Sequence, residues 1–322
     1  MFKYFIVQSL LLINMPLVAQ IDSNLVEDFA RNFSYKNRIH IDEVTAILDQ
    51  AEFQPKIIES MNRPAEKMPW HKYRNIFMTD ERIDAGIEFW NENRATIKQV
   101  SLEYKVDPEI IVAIIGVESY FGRRKGNYKI LDALYTLAFG YPKRSKFFTA
   151  ELATFILLTR KENLDVYNVK GSYAGAMGYG QFMPSSYEAY ARSFEKDGNK
   201  DLMNSAEDAI ASVANYFKEH RWRLGSPIAQ KATQRPDAQP LGKHSVRPKN
   251  NTSFYQDLGY EPTMPISEDE LVSVQAFDLE DRKEYWFTHQ NFYVITRYNH
   301  SALYALAVFQ LSEAIKEKLI VD

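Results

Sequence analysis

Apolar residues recur at helical spacing along most of the chain. In the segment DEVTAILDQA, Val44, Ile47 and Leu48 fall on one face of a helix. We expect Asp80 to cap a helix running through residues 81–104, and Asp107 followed by Pro108 to begin the next one. The same spacing predicts further helices at 24–60, 131–139, 146–160, 184–194, 206–221 and 301–319.

The pattern changes in the last third of the chain. Residues 224–265 are rich in Pro, Gln, Lys and Gly, which predicts a loop or a small inserted unit. The runs LVSVQAF, EYWFTHQ and FYVITRY follow, and their β-branched and aromatic residues predict a small antiparallel sheet or meander. The chain is therefore expected to be mainly helical, with a minor sheet late in it.

Residues 1–19 have the pattern of a secretory signal peptide. Lys3 precedes a short apolar run, and the small residue Ala19 suits a cleavage site. A retained membrane anchor is the alternative, but the run is shorter than the ~20 apolar residues of a membrane span. No other segment approaches that length, so no further transmembrane helix is predicted.

Composition excludes several classes of function. With 45% hydrophobic and 25% charged residues, the 322-residue chain is typical of a soluble globular protein of one or two domains. The net charge of −3, without long runs of like charge, does not indicate nucleic-acid binding. The absence of cysteine excludes disulfides, thiol catalysis and lipid attachment to cysteine, and no histidine spacing indicates zinc.

Glu118 follows the apolar stretch IIVAIIG, where another aliphatic residue would be expected. Three isoleucines share its helical face: Ile111, Ile114 and Ile115. Poor solvation raises a carboxyl pKa, and the helix end predicted near Gly122 also disfavours the ionised form. Glu118 is therefore a candidate general acid. The alternative is a helix-end glutamate that faces solvent or pairs with Arg123 or Arg124.

The segment GSYAGAMGYGQFMPSSY, residues 171–187, has four glycines: Gly171, Gly175, Gly178 and Gly180. It lacks both common phosphate-loop patterns, so a backbone that approaches a ligand closely is favoured. In that case Ser172, Gln181, Ser185 and Ser186 would supply hydrogen bonds to a polar neutral ligand. A purely structural turn is an equal alternative.

Residues 193–201, SFEKDGNKD, resemble half of an EF-hand calcium loop with Gly198 at its sixth position. The candidate calcium ligands are Glu195, Asp197, Asn199 and Asp201. Ser193 at position one and Asn204 at position twelve depart from the pattern. A solvated acidic turn is the alternative, and no required cofactor is predicted.

Two motifs together indicate a family. VESYFGR, followed some fifty residues later by GAMGYGQFMPSSY, resembles the lysozyme-like soluble-lytic-transglycosylase superfamily, and more narrowly the lytic murein transglycosylase B family. Five longer segments extend the resemblance: NRPAEKMPWHKY (62–73), DPEIIVAIIGVESYFGR (107–123), DALYTLAFGYPKRSKFF (132–148), DAIASVANYFKEHRW (208–222) and NFYVITRYNHSALYALAV (291–308).

The resemblance implies a mainly α fold with a lysozyme-like helical catalytic core, an additional helical N-terminal region and a small late antiparallel sheet. The expected divisions are a signal peptide at 1–19, an N-terminal helical region at 20–105, a catalytic core at 106–223, a loop-rich segment with the sheet at 224–290, and a cleft-completing segment at 291–322.

The implied activity is non-hydrolytic cleavage of the β-1,4 bond between N-acetylmuramic acid and N-acetylglucosamine in peptidoglycan, leaving 1,6-anhydro-muramoyl ends, as in cell-wall turnover. By the matching motifs, Glu118 is the acid and then the base. The residues implied to line the saccharide cleft are Ser172, Gln181, Tyr216, Asn299 and Tyr304. Most glycosidases use two carboxyl groups, but here the muramic acid C6 hydroxyl would act as the internal nucleophile.

Two other functions remain open, a hydrolytic muramidase and a non-catalytic peptidoglycan-binding protein. The expected partners are peptidoglycan glycan strands and complexes of cell-wall synthesis or hydrolysis, with no nucleic acid. A monomer is expected. The expected location is the periplasm, in soluble form after signal cleavage. Without cysteine the chain is not a lipoprotein, and retention of the N-terminal segment is the alternative.

Overall fold

The structure is a computed structural model that describes residues 21–63, 68–196, 198–242 and 245–321. The predicted signal peptide lies outside the described residues. The described ranges contain fourteen α-helices: α1 Ser23–Asn37, α2 Ile41–Asp49, α3 Pro55–Met61, α4 Trp70–Arg74, α5 Asp80–Glu92, α6 Arg94–Tyr104, α7 Pro108–Ser119, α8 Ile130–Gly140, α9 Ser145–Lys161, α10 Pro184–Tyr190, α11 Ala206–Glu219, α12 Thr252–Asp257, α13 Gln290–Tyr298 and α14 Ala302–Val321. The strands are β1 Tyr128–Lys129, β2 Lys170–Gly171, β3 Ala229–Gln234, β4 Asn250–Asn251, β5 Tyr260–Pro262, β6 Leu271–Asp278 and β7 Lys283–Thr288.

Helix α7 is the centre of the helical core. Its residues from Glu109 to Gly116 are all buried, because α5, α6, α11 and α14 pack around it. A helix that is apolar on every side belongs in the interior, which is what the stretch IIVAIIG predicts. Glu118 thus lies in the last turn of a helix that is buried along most of its length. No described helix is long and apolar enough to cross a bilayer.

The predicted start of α7 is confirmed, with Asp107 in extended conformation and Pro108 at the first helical position. The Asp107 side chain makes no cap hydrogen bond, however. It accepts instead from Trp222 Nε1 at 2.8 Å and from Gly225 N at 3.1 Å. Asp107 therefore ties the start of α7 to the chain that follows α11.

The single helix predicted through 81–104 is wrong, because two helices, α5 and α6, meet at Asn93. Asn93 leaves helical geometry, and its Nδ2 donates to Phe89 O at 2.9 Å, satisfying a carbonyl at the end of α5. The predicted cap is also displaced by one residue. Thr79 caps α5 by accepting from Arg82 N, while Asp80 is the first helical residue.

A five-stranded antiparallel sheet of order β4-β6-β7-β3-β5 forms late in the chain. The predicted strands LVSVQAF and EYWFTHQ are β6 and β7, paired with Ser273 opposite Thr288. Strands β3, β4 and β5 and helix α12 come from residues 224–265, so this segment is an inserted unit and not a plain loop. The sheet has its own small core: Leu241, Tyr255, Tyr260, Val272, Val274 and Phe287.

The third predicted strand, FYVITRY, is wrong, since these residues belong to α13. Asn291 fixes the first turn of this helix, because its side-chain amide exchanges hydrogen bonds with the Arg223 backbone at 2.7 and 3.0 Å. Buried Phe292 and Ile295 are spaced for one helical face. Packing has overridden the strand preference of the residue types. As a result, Tyr298 and Asn299 lie at the C-terminal end of a helix.

Candidate active site

Glu118 lies in the last turn of α7 and is half-buried. Tyr304, on the first turn of α14 and only 2% exposed, donates from its hydroxyl to Glu118 Oε1 at 2.6 Å. Burial, and then the negative charge of Glu118, raise the pKa of Tyr304 well above its usual value. The phenol therefore stays protonated, and it acts as a hydrogen-bond donor that orients the carboxyl group.

Tyr298 is a second phenol beside Glu118 that the sequence motifs did not single out. Its hydroxyl donates to Gly180 O at 2.5 Å, which joins the end of α13 to the glycine-rich segment. Burial, followed by the charge of Glu118, also raises the pKa of Tyr298 well above its usual value. In the sequence, only its position next to Asn299 points to a place in the site. The prediction of FYVITRY as a strand put Tyr298 in the sheet instead.

The chain leaves α7 through a constrained turn. Tyr120, Phe121 and Gly122 have φ values of 52°, 58° and 82°, a left-handed run that is unfavourable for the first two residues. Ser119 Oγ stabilises the turn by accepting from Gly122 N at 2.9 Å, and it donates to Tyr179 O at 2.6 Å. The helix end next to Glu118 is thus fastened to the glycine-rich segment.

The glycines of that segment allow close packing of the protein against itself. A Cβ atom on Gly178 would lie 2.1 Å from Leu202 O, and one on Gly171 would lie 2.1 Å from Ala176 O. Gln181, with φ of 49°, donates from Nε2 to Gly178 O at 2.8 Å and to Lys125 O at 3.1 Å. These bonds fix its amide at the edge of the cleft.

The predicted serines have different positions. Ser172 Oγ accepts from Ala176 N at 3.0 Å and so holds its own turn, and Ser172 does not line the cleft described below. Ser185 donates to Glu151 Oε1 at 2.6 Å, and its backbone N donates to Oε2 at 2.9 Å. Because Glu151 is buried, these bonds fasten the start of α10 to α9. Ser186 lines the cleft.

A cleft of about 520 Å³ brings together three of the five residues implied to line it, Gln181, Tyr216 and Asn299, with Ser185 and Ser186. Its described lining does not include Glu118 or Tyr304. This volume is within the range of small-molecule sites. The wall also includes several residues that no sequence motif indicated: Arg144, Phe147, Met183, Arg297, Tyr298 and His300. The tyrosine rings and amide groups suit a polar ligand with flat apolar faces, such as a saccharide.

Tyr216 contributes its ring, because its hydroxyl already donates to Arg297 O at 2.5 Å. Its ring stacks on His220 at 4.1 Å and meets Tyr298 edge-on at 4.8 Å. Burial raises the pKa of Tyr216, so the phenol is neutral at physiological pH. This aromatic cluster forms a rigid apolar wall of the cleft.

The described part of the predicted calcium loop is engaged in other contacts. Glu195 and Asn199 are exposed, and Asp197 lies outside the described residues. Asp201 Oδ1 accepts from the backbone N of Met203 at 3.0 Å and of Asn204 at 2.9 Å. Within the described ranges no three or more Asp, Glu, His or Cys side chains are grouped to hold a metal. Because Asp197 lies outside those ranges, calcium binding by this loop stays a prediction.

Comparison with known proteins gives consistent matches. Residues 22–313 match the family described as transglycosylase SLT domain. Over 283 residues the chain is 42% identical to membrane-bound lytic murein transglycosylase B of Escherichia coli K12, covering 85% of this chain and 77% of that protein.

Solved structures show the same fold. Soluble lytic transglycosylase SltB1 of Pseudomonas aeruginosa has a TM-score of 0.85 at 39% identity, covering 91% of this chain and 98% of that one. The E. coli lytic transglycosylase Slt35 in complex with bulgecin A has a TM-score of 0.85 at 40% identity, covering 92% and 94%. Slt35 is also known in complex with calcium. At 27% identity and a TM-score of 0.76, P. aeruginosa SltB3 in complex with NAG-NAM-pentapeptide covers 90% of this chain and 78% of that one. The predicted fold class, mainly α and lysozyme-like with a small late sheet, is confirmed.

Proposed function

The chain belongs to the transglycosylase SLT domain family and is a peptidoglycan lytic transglycosylase, and we propose that Glu118 is its single acid and base. The bond cut would be the β-1,4 linkage between N-acetylmuramic acid and N-acetylglucosamine, leaving a 1,6-anhydro-muramoyl end. The observation that supports this most strongly is the half-buried Glu118 carboxyl, oriented by Tyr304 at 2.6 Å. Burial, and then the charge of Glu118, raise the pKa of Tyr298, which lines the cleft.

In the first step the protonated Glu118 donates its proton to the glycosidic oxygen, and the bond from that oxygen to C1 of the muramic acid breaks. In the second step the Glu118 carboxylate accepts the proton of the C6 hydroxyl as O6 bonds to C1. No water is consumed, and the proton count of Glu118 is restored. The Tyr304 hydrogen bond helps the first step, because it stabilises the carboxylate that Glu118 becomes as its proton leaves.

The internal hydroxyl replaces the second carboxyl group of most glycosidases. A nucleophile within the same sugar reacts with high effective concentration, so the enzyme has to hold the ring and exclude competing water. Gln181, Tyr216 and Asn299 would bind the glycan strand. The NAG-NAM-pentapeptide complex of SltB3 supports a muropeptide as the ligand class.

The predicted chain divisions give each segment a role in this proposal. The segment 106–223 would provide the acid, the glycine-rich wall and Tyr216. The segment 291–322 would complete the cleft, which is supported by the Tyr304 bond to Glu118 and by Asn299 in the wall. The N-terminal helices of 20–105 would support the core from outside, and residues 1–19 would direct export to the periplasm.

Replacement of Glu118 by Gln tests the assignment of the acid. Glutamine keeps the shape of the side chain but cannot deliver a proton, so we expect no release of muropeptides from purified sacculi. Binding to sacculi and the circular dichroism spectrum should match those of the wild type. An active Glu118→Gln enzyme would rule out the single-acid mechanism.

A further inference from the structure

Arg82, in the first turn of α5, is a buried cation outside the predicted site. It is 7% exposed, and its Nη1 donates to Gly116 O at 2.5 Å. Burial lowers its pKa from the usual value. Burying a guanidinium has a desolvation cost, so the contacts that it makes must offset that cost.

These contacts are made with the C-terminal end of α7 and with Phe77, which precedes α5. The Arg82 guanidinium carbon lies 4.6 Å from the centre of the Tyr120 ring and 5.3 Å from that of Phe77. Within the described part of the chain, Arg82 Nε has no hydrogen-bond partner. The guanidinium is therefore held by one carbonyl and two ring faces.

Gly116, whose carbonyl accepts from Arg82, and Tyr120, whose ring Arg82 contacts, lie on either side of Glu118 in the sequence. Gly116 O, which accepts from Arg82, also accepts from Tyr120 N at 3.1 Å, and that bond closes the helix end. Tyr120 occupies the left-handed region with φ of 52°, a conformation that needs support from its surroundings. Arg82 thus contacts the backbone two residues before Glu118 and the side chain two residues after it.

We propose that Arg82 is a positioning residue that fixes the last turn of α7 and thereby the direction of the Glu118 carboxyl. Its charge also offsets the partial negative charge of the helix end, which stabilises the carboxylate that forms when Glu118 donates its proton in the first step. This inference rests on the proposed role of Glu118. By this inference the N-terminal helical region affects catalysis through Arg82. The proposed mechanism uses no other residue of that region.

The experiment compares Arg82→Met and Arg82→Lys with a matched control, Arg124→Met. Arg124 is exposed, and its guanidinium carbon lies 4.9 Å from the centre of the same Tyr120 ring, but it does not bond to Gly116 O. We expect Arg82→Met to lower kcat on the order of tenfold to a hundredfold, the effect of a misplaced catalytic group, with KM within about twofold. Arg82→Lys should recover part of the loss, and Arg124→Met should stay within about twofold of the wild type.

Wild-type kcat in folded Arg82→Met enzyme would overturn the inference, as would a loss of activity that only follows the unfolded fraction measured by circular dichroism. If Arg82→Met does not fold, Arg82→Lys decides, because we expect it to fold with lower kcat and unchanged KM. A wild-type kcat in that variant would also overturn the inference. These results can be told apart from a failure of the proposed function. If Glu118 is not the acid, the Glu118→Gln enzyme stays active.

Discussion

Three aromatic side chains determine the environment of the candidate acid. Tyr304 bonds to the Glu118 carboxyl, Tyr298 lies close enough to be affected by its charge, and Tyr120 forms the helix end that follows it. The apolar run before Glu118 is sufficient to predict a buried helix and an unusual carboxyl group. It contains no information about Tyr304, which is 186 residues away along the chain.

Tyr304→Phe should slow the reaction with little effect on substrate binding. The change removes the 2.6 Å hydrogen bond to Glu118 and keeps the ring that fills the buried space. Hydrogen bonds to charged groups contribute about 1.5–3 kcal/mol, which corresponds to roughly tenfold to a hundredfold in kcat. Steady-state kinetics on soluble muropeptide chains would measure this. Tyr293→Phe, on α13 but outside the site contacts described above, is the control, and an unchanged kcat in Tyr304→Phe would contradict the prediction.

His220 should make the fold sensitive to mild acid. Burial against Tyr216 lowers the pKa of His220, so near pH 6 the folded state binds fewer protons than the unfolded state. Its contribution to stability is full above the unfolded pKa of about 6.5, and it is lost as the pH falls through the lower folded pKa. Urea unfolding at about pH 7.5 and about pH 5.5 should show a smaller pH effect in His220→Phe than in the wild type. His300→Phe, at an exposed histidine, should keep the wild-type effect, and equal pH effects in all three proteins would exclude this role.

At the scale of elements, most helices follow from apolar spacing, but the errors have physical causes. Asn93 divides a continuous helical pattern because its amide satisfies a carbonyl at the helix end. The run FYVITRY becomes a helix because Asn291 is anchored to the backbone of Arg223. Both contacts use side-chain amides, and the second is long-range, so neither follows from residue spacing.

A mostly buried ion pair ties the loop between α10 and α11 to the C-terminal end of α9. Lys200 Nζ lies 2.7 Å from Glu162 Oε1, with side-chain exposures of 18% and 8%. We expect Lys200→Met to cost about 3–5 kcal/mol of unfolding free energy, because it leaves a buried carboxylate unpaired. The double variant Lys200→Met/Glu162→Met should cost less, since it removes both charges.

Denaturant unfolding measures the loss of unfolding free energy in the Lys200 variants. A solvent-exposed ion pair serves as the control. Lys283 pairs with Asp278 at side-chain exposures of 53% and 59%, so Lys283→Met should cost no more than about 1 kcal/mol. Equal costs for Lys200→Met and Lys283→Met would show that the Lys200 pair does not support the loop.

At the scale of the whole molecule, α4 connects the N-terminal helices to the late sheet. Trp70 is 1% exposed, its Nε1 donates to Glu284 Oε1 at 2.7 Å, and its ring centre lies 5.5 Å from that of Phe277. Composition and spacing predict that a helical part and a sheet both exist. The side chain that joins them is recognisable only in the folded chain.

Trp70→Ala should destabilise the protein by roughly 3–5 kcal/mol, the cost of emptying a large buried site. Trp70→Phe keeps much of the packing and loses the Glu284 hydrogen bond, so a cost of about 1–2 kcal/mol is expected. Urea unfolding followed by circular dichroism provides both values. A cost below about 1 kcal/mol for Trp70→Ala would mean that this contact does not join the two parts.

The central claim is that one carboxyl group and the sugar's own hydroxyl cut the glycan without water. Mass spectrometry of the muropeptides released from purified sacculi in ¹⁸O-labelled water tests it most directly. We predict products that end in 1,6-anhydro-muramic acid. They should be lighter by one water molecule than the products of hydrolysis and free of ¹⁸O, and Glu118→Gln should release none. Reducing ends that contain ¹⁸O would identify a hydrolase and contradict the mechanism.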